Sequence, residues 1–251
     1  MAKRIALITG ATSGIGEATA RLLAKSEFKL IICGRRDDRL KSLAADLSKQ
    51  TDVTTLSFDV RNQSEVAAAI AGLPTAWKEI DVLINNAGNA HGMDPIQTGS
   101  LTDWDAMIDI NVKGLLYVSR EIIPGMTNRK QGHIINLGSI AGKEVYPNGN
   151  VYCASKYAVD ALTQGMRIDL NQFGIKVTSI NPGLVDTEFS LVRFKGDTDR
   201  AANVYKGLTP LKGEDIADII LYTLQAPAHV VLADITVFPV AQASAAIVKR
   251  S

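Results

Sequence analysis

Thr9-Gly10-Ala11-Thr12-Ser13-Gly14-Ile15-Gly16 follows a short apolar run, Ile5 to Ile8, and precedes a segment of helical period from Ala18 to Ala24 that carries Ala20, Leu22 and Leu23. Three glycines therefore stand where a strand turns into a helix. At such a turn, backbone without Cβ atoms lets a pyrophosphate reach free N–H groups at the positive end of the helix dipole. The spacing is Gly-x-x-x-Gly-x-Gly rather than Gly-x-Gly-x-x-Gly, and its place after the first strand gives it weight.

Outward from this turn, six more apolar runs read as strands: Leu30–Cys33, Thr55–Phe58, Val82–Asn85, Ile134–Leu137, Val177–Asn181 and Ile235–Phe238. Several are unbroken rather than alternating, as expected when both faces of a parallel sheet are covered. Helical patterns between them, such as Leu40–Leu47 and Glu65–Leu73, are long enough to cross over. The expected architecture is α/β, a single-domain Rossmann-type doubly wound fold over residues 1–251, with a seven-stranded parallel sheet and helices on both faces. Thr102 with Asp105 resembles a helix N-cap opening a long helix through Met107, Ile110, Leu115 and Val118, with Pro124 and Gly125 marking its end. The long irregular stretch from Gly183 to Lys212 is expected to be a substrate lid.

Composition narrows the function. Apolar residues make up 46% and charged residues 21%, the mix of an ordinary globular chain. Lys and Arg number 27 against 26 Asp and Glu, a formal charge of +1, so no broad field favours nucleic acid or an anionic membrane. Two cysteines, Cys33 and Cys153, offer no disulfide framework or zinc cluster, and a reducing cytoplasm is expected. Met1-Ala2-Lys3-Arg4 runs into an apolar stretch too short for a signal peptide, and no run approaches the roughly 20 apolar residues of a membrane span. His91, His133 and His229 are scattered, so no metal is expected.

The second strand ends in Gly34-Arg35-Arg36. In dinucleotide folds an acid here would bind the ribose 2′-OH of NAD, whereas two guanidinium groups suit the 2′-phosphate of NADP. NADP(H) is the expected cofactor; the alternative is that Arg35 and Arg36 only pair with Asp37 and Asp38. Asp59-Val60 after the third strand is placed at the adenine, and Asn86-Ala87-Gly88 after the fourth is placed near the ribose.

Tyr152 and Lys156 stand four apart in a helical segment, Asn150–Leu170, and so share a face. A tyrosine has a pKa of about 10, and a nearby ammonium lowers such a value by roughly 1 to 3 units. Together they are candidates for general acid–base work, although many such pairs are surface decoration. Ser139, at the end of the strand Ile134–Leu137, offers a hydroxyl to a substrate carbonyl, and Asn111 is a candidate to hold a water that relays protons to Lys156. Cys153, Trp77 and Trp104 read as packing residues, and the tail through Lys249 and Arg250 as a solvated end.

Taken together, Gly10, Gly14, Gly16, Asn86-Ala87-Gly88, Asn111, Ser139, Tyr152, Lys156, Pro182-Gly183 and Thr187 resemble, in order, the motifs of the short-chain dehydrogenase/reductase family, over residues 9 to about 239. The resemblance implies a Tyr152 acid/base, a Ser139 donor, a Lys156 that also binds the nicotinamide ribose, an Asn111 water holder, and a cofactor site of Gly10, Thr12, Ser13, Gly14, Ile15, Gly16, Arg35, Arg36, Asp59, Val60, Asn86, Ala87, Gly88, Tyr152, Lys156, Pro182, Gly183, Val185 and Thr187.

Within the family the chain is similar to NADP-dependent 3-hydroxy acid dehydrogenases, acting on serine, allo-threonine or 3-hydroxypropionate-type substrates. Gly34-Arg35-Arg36 with Arg39-Leu40, the run from Pro182 to Asp197 and Pro227-Ala228-His229 carry that likeness. It departs at Asp186 and at Lys143-Glu144-Val145. The resemblance also implies a homotetramer with the helices of Asn111 and Tyr152 at the interfaces. A substrate carboxylate needs a cation, for which Arg193 is the choice over Lys195; the alternative is that these pair with Glu188 or Asp197. Phe189, Ser139 and Tyr152 complete the expected substrate contacts. Other readings are a reductase of larger ketones, diketones or 3-oxoacyl thioesters, and an NADPH-binding sensor without turnover.

Overall fold

The computed structural model describes residues 3–251; Met1 and Ala2 of the N-terminal reading lie outside them. Seven strands form one parallel sheet: β1 (Arg4–Thr9), β2 (Phe28–Gly34), β3 (Val53–Ser57), β4 (Val82–Asn85), β5 (His133–Leu137), β6 (Lys176–Pro182) and, last in the chain, Asp234–Val237. Two two-residue strands intervene before that last one, β7 (Val185–Asp186) and β8 (Leu211–Lys212), and pair only with each other, so Asp234–Val237 is β9. The sheet order is β3-β2-β1-β4-β5-β6-β9. Strand order reverses between β1 and β4, and the crevice beyond the carboxyl ends of strands at such a point is where ligands bind.

The inner strands are largely apolar because they feed two cores, whereas the edge strands β3 and β9 are only partly buried. Along β1, Ala6 and Ile8 face a core with Leu30 and Ile32 of β2. It is roofed by α1 (Gly14–Ala24), α2 (Asp37–Leu47) and α9 (Gly213–Gln225), through Leu23, Leu40, Leu43, Ile216 and Ile220. Ile5, Leu7, Ile31 and Cys33 face the other way, onto α3 (Gln63–Ala71), α5 (Gly114–Arg129) and α6 (Asn150–Leu170), through Val66, Val118, Ile122, Met126 and Leu170. Cys153 is a buried packing group, as the sequence suggests, Cys33 is buried as well, and Trp77 and Trp104 pack against apolar clusters.

The long helix near Asn111 differs from its sequence reading in three ways. Its N-cap is Ser100, not Thr102: the Ser100 hydroxyl accepts from the Asp103 N–H at 3.4 Å, opening α4 (Leu101–Ile108). A π turn, Asp109–Lys113, then separates α4 from α5. Pro124 and Gly125 do not end the helix, which runs on to Arg129. Pro124 lies on its exposed side, while the burial of Ile122 and Met126 holds the turns around it. The 183–212 stretch is not irregular throughout: besides β7 and β8 it holds α7 (Glu188–Arg193) and α8 (Thr198–Asn203).

The C-terminal segment is tied down, although Lys249, Arg250 and Ser251 stay exposed. Gln242 bridges to Val248, the Ser251 N–H donates to the Gly207 carbonyl at 2.9 Å, and Arg250 donates to the carbonyls of Val204 and Lys206. No helix among the described residues is long and apolar enough to cross a membrane.

Candidate active site

The glycine turn is shaped by close approach. Gly10 and Gly14 have φ of 64° and 54°, a region that favours glycine, and a Cβ on Gly16 would stand 2.4 Å from both Asn86 Nδ2 and the Gly10 carbonyl oxygen. The Asn86 amide donates to the carbonyls of Thr9 (2.9 Å) and Gly10 (3.1 Å), and the Asn86 and Ala87 N–H groups both donate to Thr9 Oγ1. Asn86 thus clamps β4 to the turn after β1. Its side chain has this work whether or not a ligand is present.

A single cavity of about 1060 Å³ runs along the sheet's carboxyl edge. Gly10, Thr12, Ser13, Gly14, Ile15, Arg35, Arg36 and Val60 line one end; Asn86, Ala87 and Gly88 lie along it; Ser139, Tyr152, Lys156, Pro182, Gly183, Val185, Thr187, Phe189 and Arg193 line the other. Three of the residues expected here, Gly16, Asp59 and Asn111, stand behind the wall. Its volume is at the upper end for small-ligand sites, as a dinucleotide with a small substrate requires.

Arg35 and Arg36 do not pair with Asp37 or Asp38. Arg36 donates to Thr12 Oγ1 (3.0 Å), Ser13 Oγ (2.8 Å) and Glu188 Oε2 (2.9 Å), while Asp37 pairs with Lys41. Arg35 lies 3.5 Å from Asp59, whose principal partner is Arg61 at 2.6 Å. Burial opposes the Asp59 charge, but the Arg61 hydrogen bonds and the field of Arg35 hold its carboxyl below the usual range. It is therefore an ionised prop for the two arginines.

At the other end, β5 delivers Ser139 and α6 delivers Tyr152 and Lys156. Ser139 Oγ accepts from the Ala141 N–H at 3.1 Å, which leaves its own proton free to donate. The Lys156 ammonium donates to the Leu137 carbonyl at 2.9 Å and is buried, which lowers its pKa to about 8. Tyr152 moves opposite to the expectation that its lysine neighbour makes it acidic. Burial, with Tyr146 adding to it, pushes the phenol well above its ordinary value, against the pull of a Ser139 hydrogen bond and of Arg193. The Phe189 ring lies 5.7 Å from the Tyr152 ring and the Arg193 guanidinium 5.6 Å from it, so α7 covers the phenol.

The Asn111 side chain is fully engaged. Its amide donates to the Asn89 carbonyl (2.8 Å) and to Ser155 Oγ (3.0 Å), and its oxygen accepts from the Asn89 N–H (2.9 Å). It pins the Gly88–Asn89 turn against α6, and with both amide protons spent there its side chain has no donor left for a water. Arg193 donates to the Gly92 carbonyl (3.1 Å) and the Tyr146 hydroxyl (2.9 Å). No carboxylate pairs with Arg193 among the described ion pairs: Glu188 goes to Arg36 and Arg39, and Asp103 takes Lys195.

The sequence reading missed Asn89, Tyr146, Glu188 and the C-terminal residues Gln242, Ala245, Ala246, Val248 and Arg250, all in the cavity wall. Gln242 Oε1 accepts from the Leu184 N–H at 2.8 Å, steadying the turn after β6. No group of His, Cys, Asp or Glu that could hold a metal occurs among the described residues.

The profile of the short chain dehydrogenase family matches residues 4–196. The chain belongs to this family. It is 45% identical over 242 residues to the NADP-dependent 3-hydroxy acid dehydrogenase YdfG of Salmonella typhi, covering 96% of this chain and 97% of that one. It is 44% identical over 240 residues to sulfoacetaldehyde reductase 2 of Chromohalobacter salexigens, covering 95% of each. A solved closed form of serine dehydrogenase complexed with NADP+ superposes with a TM-score of 0.92 at 43% identity, over 98% of this chain and 100% of that one. The chain is thus an oxidoreductase of the short-chain dehydrogenase class, acting on CH–OH groups and their carbonyl forms.

The buried ammonium has a measurable cost. The unfolded chain holds the Lys156 proton up to about 10.5 and the folded chain only to about 8, so between these values unfolding takes up a proton and stability rises with pH. Lys156→Met should therefore be more stable than the parent at pH 7, by roughly 2 kcal/mol after loss of the Leu137 hydrogen bond. Urea denaturation of both proteins at several pH values checks this: the gap closes between about 8 and 10.5.

Proposed function

We propose that the chain is an NADP-dependent oxidoreductase that interconverts a small 3-hydroxy acid, of the serine, allo-threonine or 3-hydroxypropionate type, with its carbonyl form. One observation carries the reading: Tyr152, Ser139 and Lys156 stand at one end of a cavity whose other end is the glycine turn with Arg35 and Arg36. The cofactor NADP(H) fits this arrangement. A Cβ at Gly10 would stand 3.0 Å from the backbone of Ala87 and one at Gly14 3.1 Å from Thr187, so the turn keeps bare backbone where a pyrophosphate lies. Two guanidinium groups stand where an NAD-specific fold carries an acid.

When bound, NADP(H) supplies or takes the hydride, and its oxidised form adds a positive charge to the site. The chain's own residues handle the proton and the substrate. Ser139 donates its free proton to the substrate oxygen. Tyr152, kept protonated by burial, gives its phenol proton to that oxygen in reduction and recovers it in oxidation. Lys156, fixed by the Leu137 carbonyl, binds the nicotinamide ribose and supplies positive charge beside the phenol. Asn111 acts by holding the Gly88–Asn89 turn, and a proton-relay water would rest on its main-chain carbonyl rather than on its side chain.

The lid, residues 183–212, shuts water out through Phe189 and brings Arg193 over the phenol. With only neutral partners and unused donors, Arg193 captures the acid group of the substrate, carboxylate or sulfonate, with Tyr146 orienting its fork. The exposed apolar side chains Leu101 and Leu116 on α4 and α5, and Tyr157 and Ile168 on α6, support a homotetramer built on these helices.

Tyr152→Phe should lower turnover by at least about 10²-fold while leaving NADPH binding nearly unchanged, followed by absorbance of the reduced nicotinamide and by calorimetry. Intact turnover, or lost cofactor binding, contradicts the assignment. Arg193→Ala should raise KM for serine and for 3-hydroxypropionate by roughly 10-fold or more and spare an uncharged secondary alcohol. Equal loss on both would refute anion capture and favour the larger-ketone reading. Tight NADPH binding with no turnover on any carbonyl would favour a sensor.

A further inference from the structure

Arg36 is one of the two guanidinium groups expected at a 2′-phosphate, and every side of it is engaged. Nε and one terminal nitrogen donate to Thr12 Oγ1 at 3.2 and 3.0 Å, and the same terminal nitrogen donates to Ser13 Oγ at 2.8 Å. The remaining nitrogen, NH1, donates to Glu188 Oε2 at 2.9 Å. Thr12 and Ser13 are neutral hydroxyls and fix the plane of the fork. Glu188 alone brings charge.

This carboxylate comes from the lid root, where Thr187 packs on Gly14, and its second oxygen accepts from Arg39 at 2.7 Å. Hydrogen bonds from Arg36 and Arg39 hold its carboxyl below the usual range, so it is anionic at any working pH. A phosphate dianion arriving at Arg35 and Arg36 meets a like charge already seated on one of its two cations. Arg35, about half exposed and 3.5 Å from Asp59, is the cation open to it.

We propose that Glu188 is a built-in competitor for the Arg36 guanidinium, a specificity element that the 2′-phosphate of NADP(H) displaces and that Arg39 retains, so that the lid root stays anchored while Arg36 passes from carboxylate to phosphate. The inference rests on the assignment of Arg36 to the 2′-phosphate. It makes a division of labour out of two adjacent arginines on α2 and its N-cap: Arg36 is exchanged, Arg39 is not.

The test is calorimetric Kd measurement for NADP+ and NAD+ with the parent protein, Glu188→Gln, Arg39→Gln and the double variant, at low ionic strength. Glu188→Gln should tighten NADP+ by about 3- to 5-fold, the scale of one half-exposed ion pair, and leave NAD+ unmoved, which also serves as the check on folding. Arg39→Gln should weaken NADP+ by a similar factor in the parent, because Glu188 then leans on Arg36 alone, and should have no effect once Glu188 is Gln.

Unchanged NADP+ affinity in Glu188→Gln overturns the proposal, as does a parallel change for both cofactors. Equal weakening by Arg39→Gln in both backgrounds overturns it too, and makes Arg39 a direct phosphate ligand. A parent protein that binds NADP+ and NAD+ equally would sink the Arg36 assignment itself; a parent that discriminates, with Glu188→Gln unmoved, would sink only the competitor.

Discussion

A buried ammonium must have a partner, and the carbonyl of Leu137 is the one Lys156 finds. That bond ties the middle of α6 to the carboxyl end of β5, two residues before Ser139. Gly142 admits the close approach on the other side, since a Cβ there would stand 2.6 Å from the Lys156 carbonyl oxygen. With α6 held in this position, Tyr152 one turn earlier is pointed at the same edge of the sheet, beneath Phe189 and Arg193. This end of the cavity is therefore a consequence of how one charged side chain is accommodated in a nearly dry place.

The same economy governs the cofactor end. Asn86 spends its side chain on the carbonyls of Thr9 and Gly10, so the turn that must offer bare backbone is stiffened from β4 rather than from within. Asn111 does the equivalent for Gly88 and Asn89, across the π turn that separates α4 from α5. Both asparagines act through the backbone they hold. At the start of α7, Thr187 packs on Gly14 and Glu188 pairs with two arginines.

Much of this was legible in the chain. Apolar runs mark all seven sheet strands, most plainly β1, β2 and β4, which are buried on both faces, and their ends are displaced by only a residue or two. The glycine turn, the two arginines and the Tyr152–Lys156 spacing are local patterns, and local patterns survive in one dimension. What escaped is what depends on distant partners. Arg36 and Glu188 are 152 residues apart, and nothing near either one announces the other. Ser100 and Thr102 are both N-cap types two residues apart, and Ser, the better cap of the two, is the one used. Pro124 looks like a stop because its sequence neighbours do not reveal that Met126 is buried. The upward displacement of the Tyr152 phenol escaped for a related reason: a lysine four residues away is visible in the sequence, whereas the burial of the phenol among distant residues is not.

The account turns on a phenol that burial keeps protonated until the positive charge of the oxidised cofactor is added to that of Arg193 and Lys156. Ultraviolet difference titration of the parent against Tyr152→Phe, with and without NADP+, isolates the ionisation of this one group. The account predicts no phenolate signal from Tyr152 below its ordinary pKa of about 10 in the free protein, and a signal displaced toward neutrality once NADP+ is bound. An ionisation near neutrality in the free protein, or one that NADP+ does not move, would contradict it.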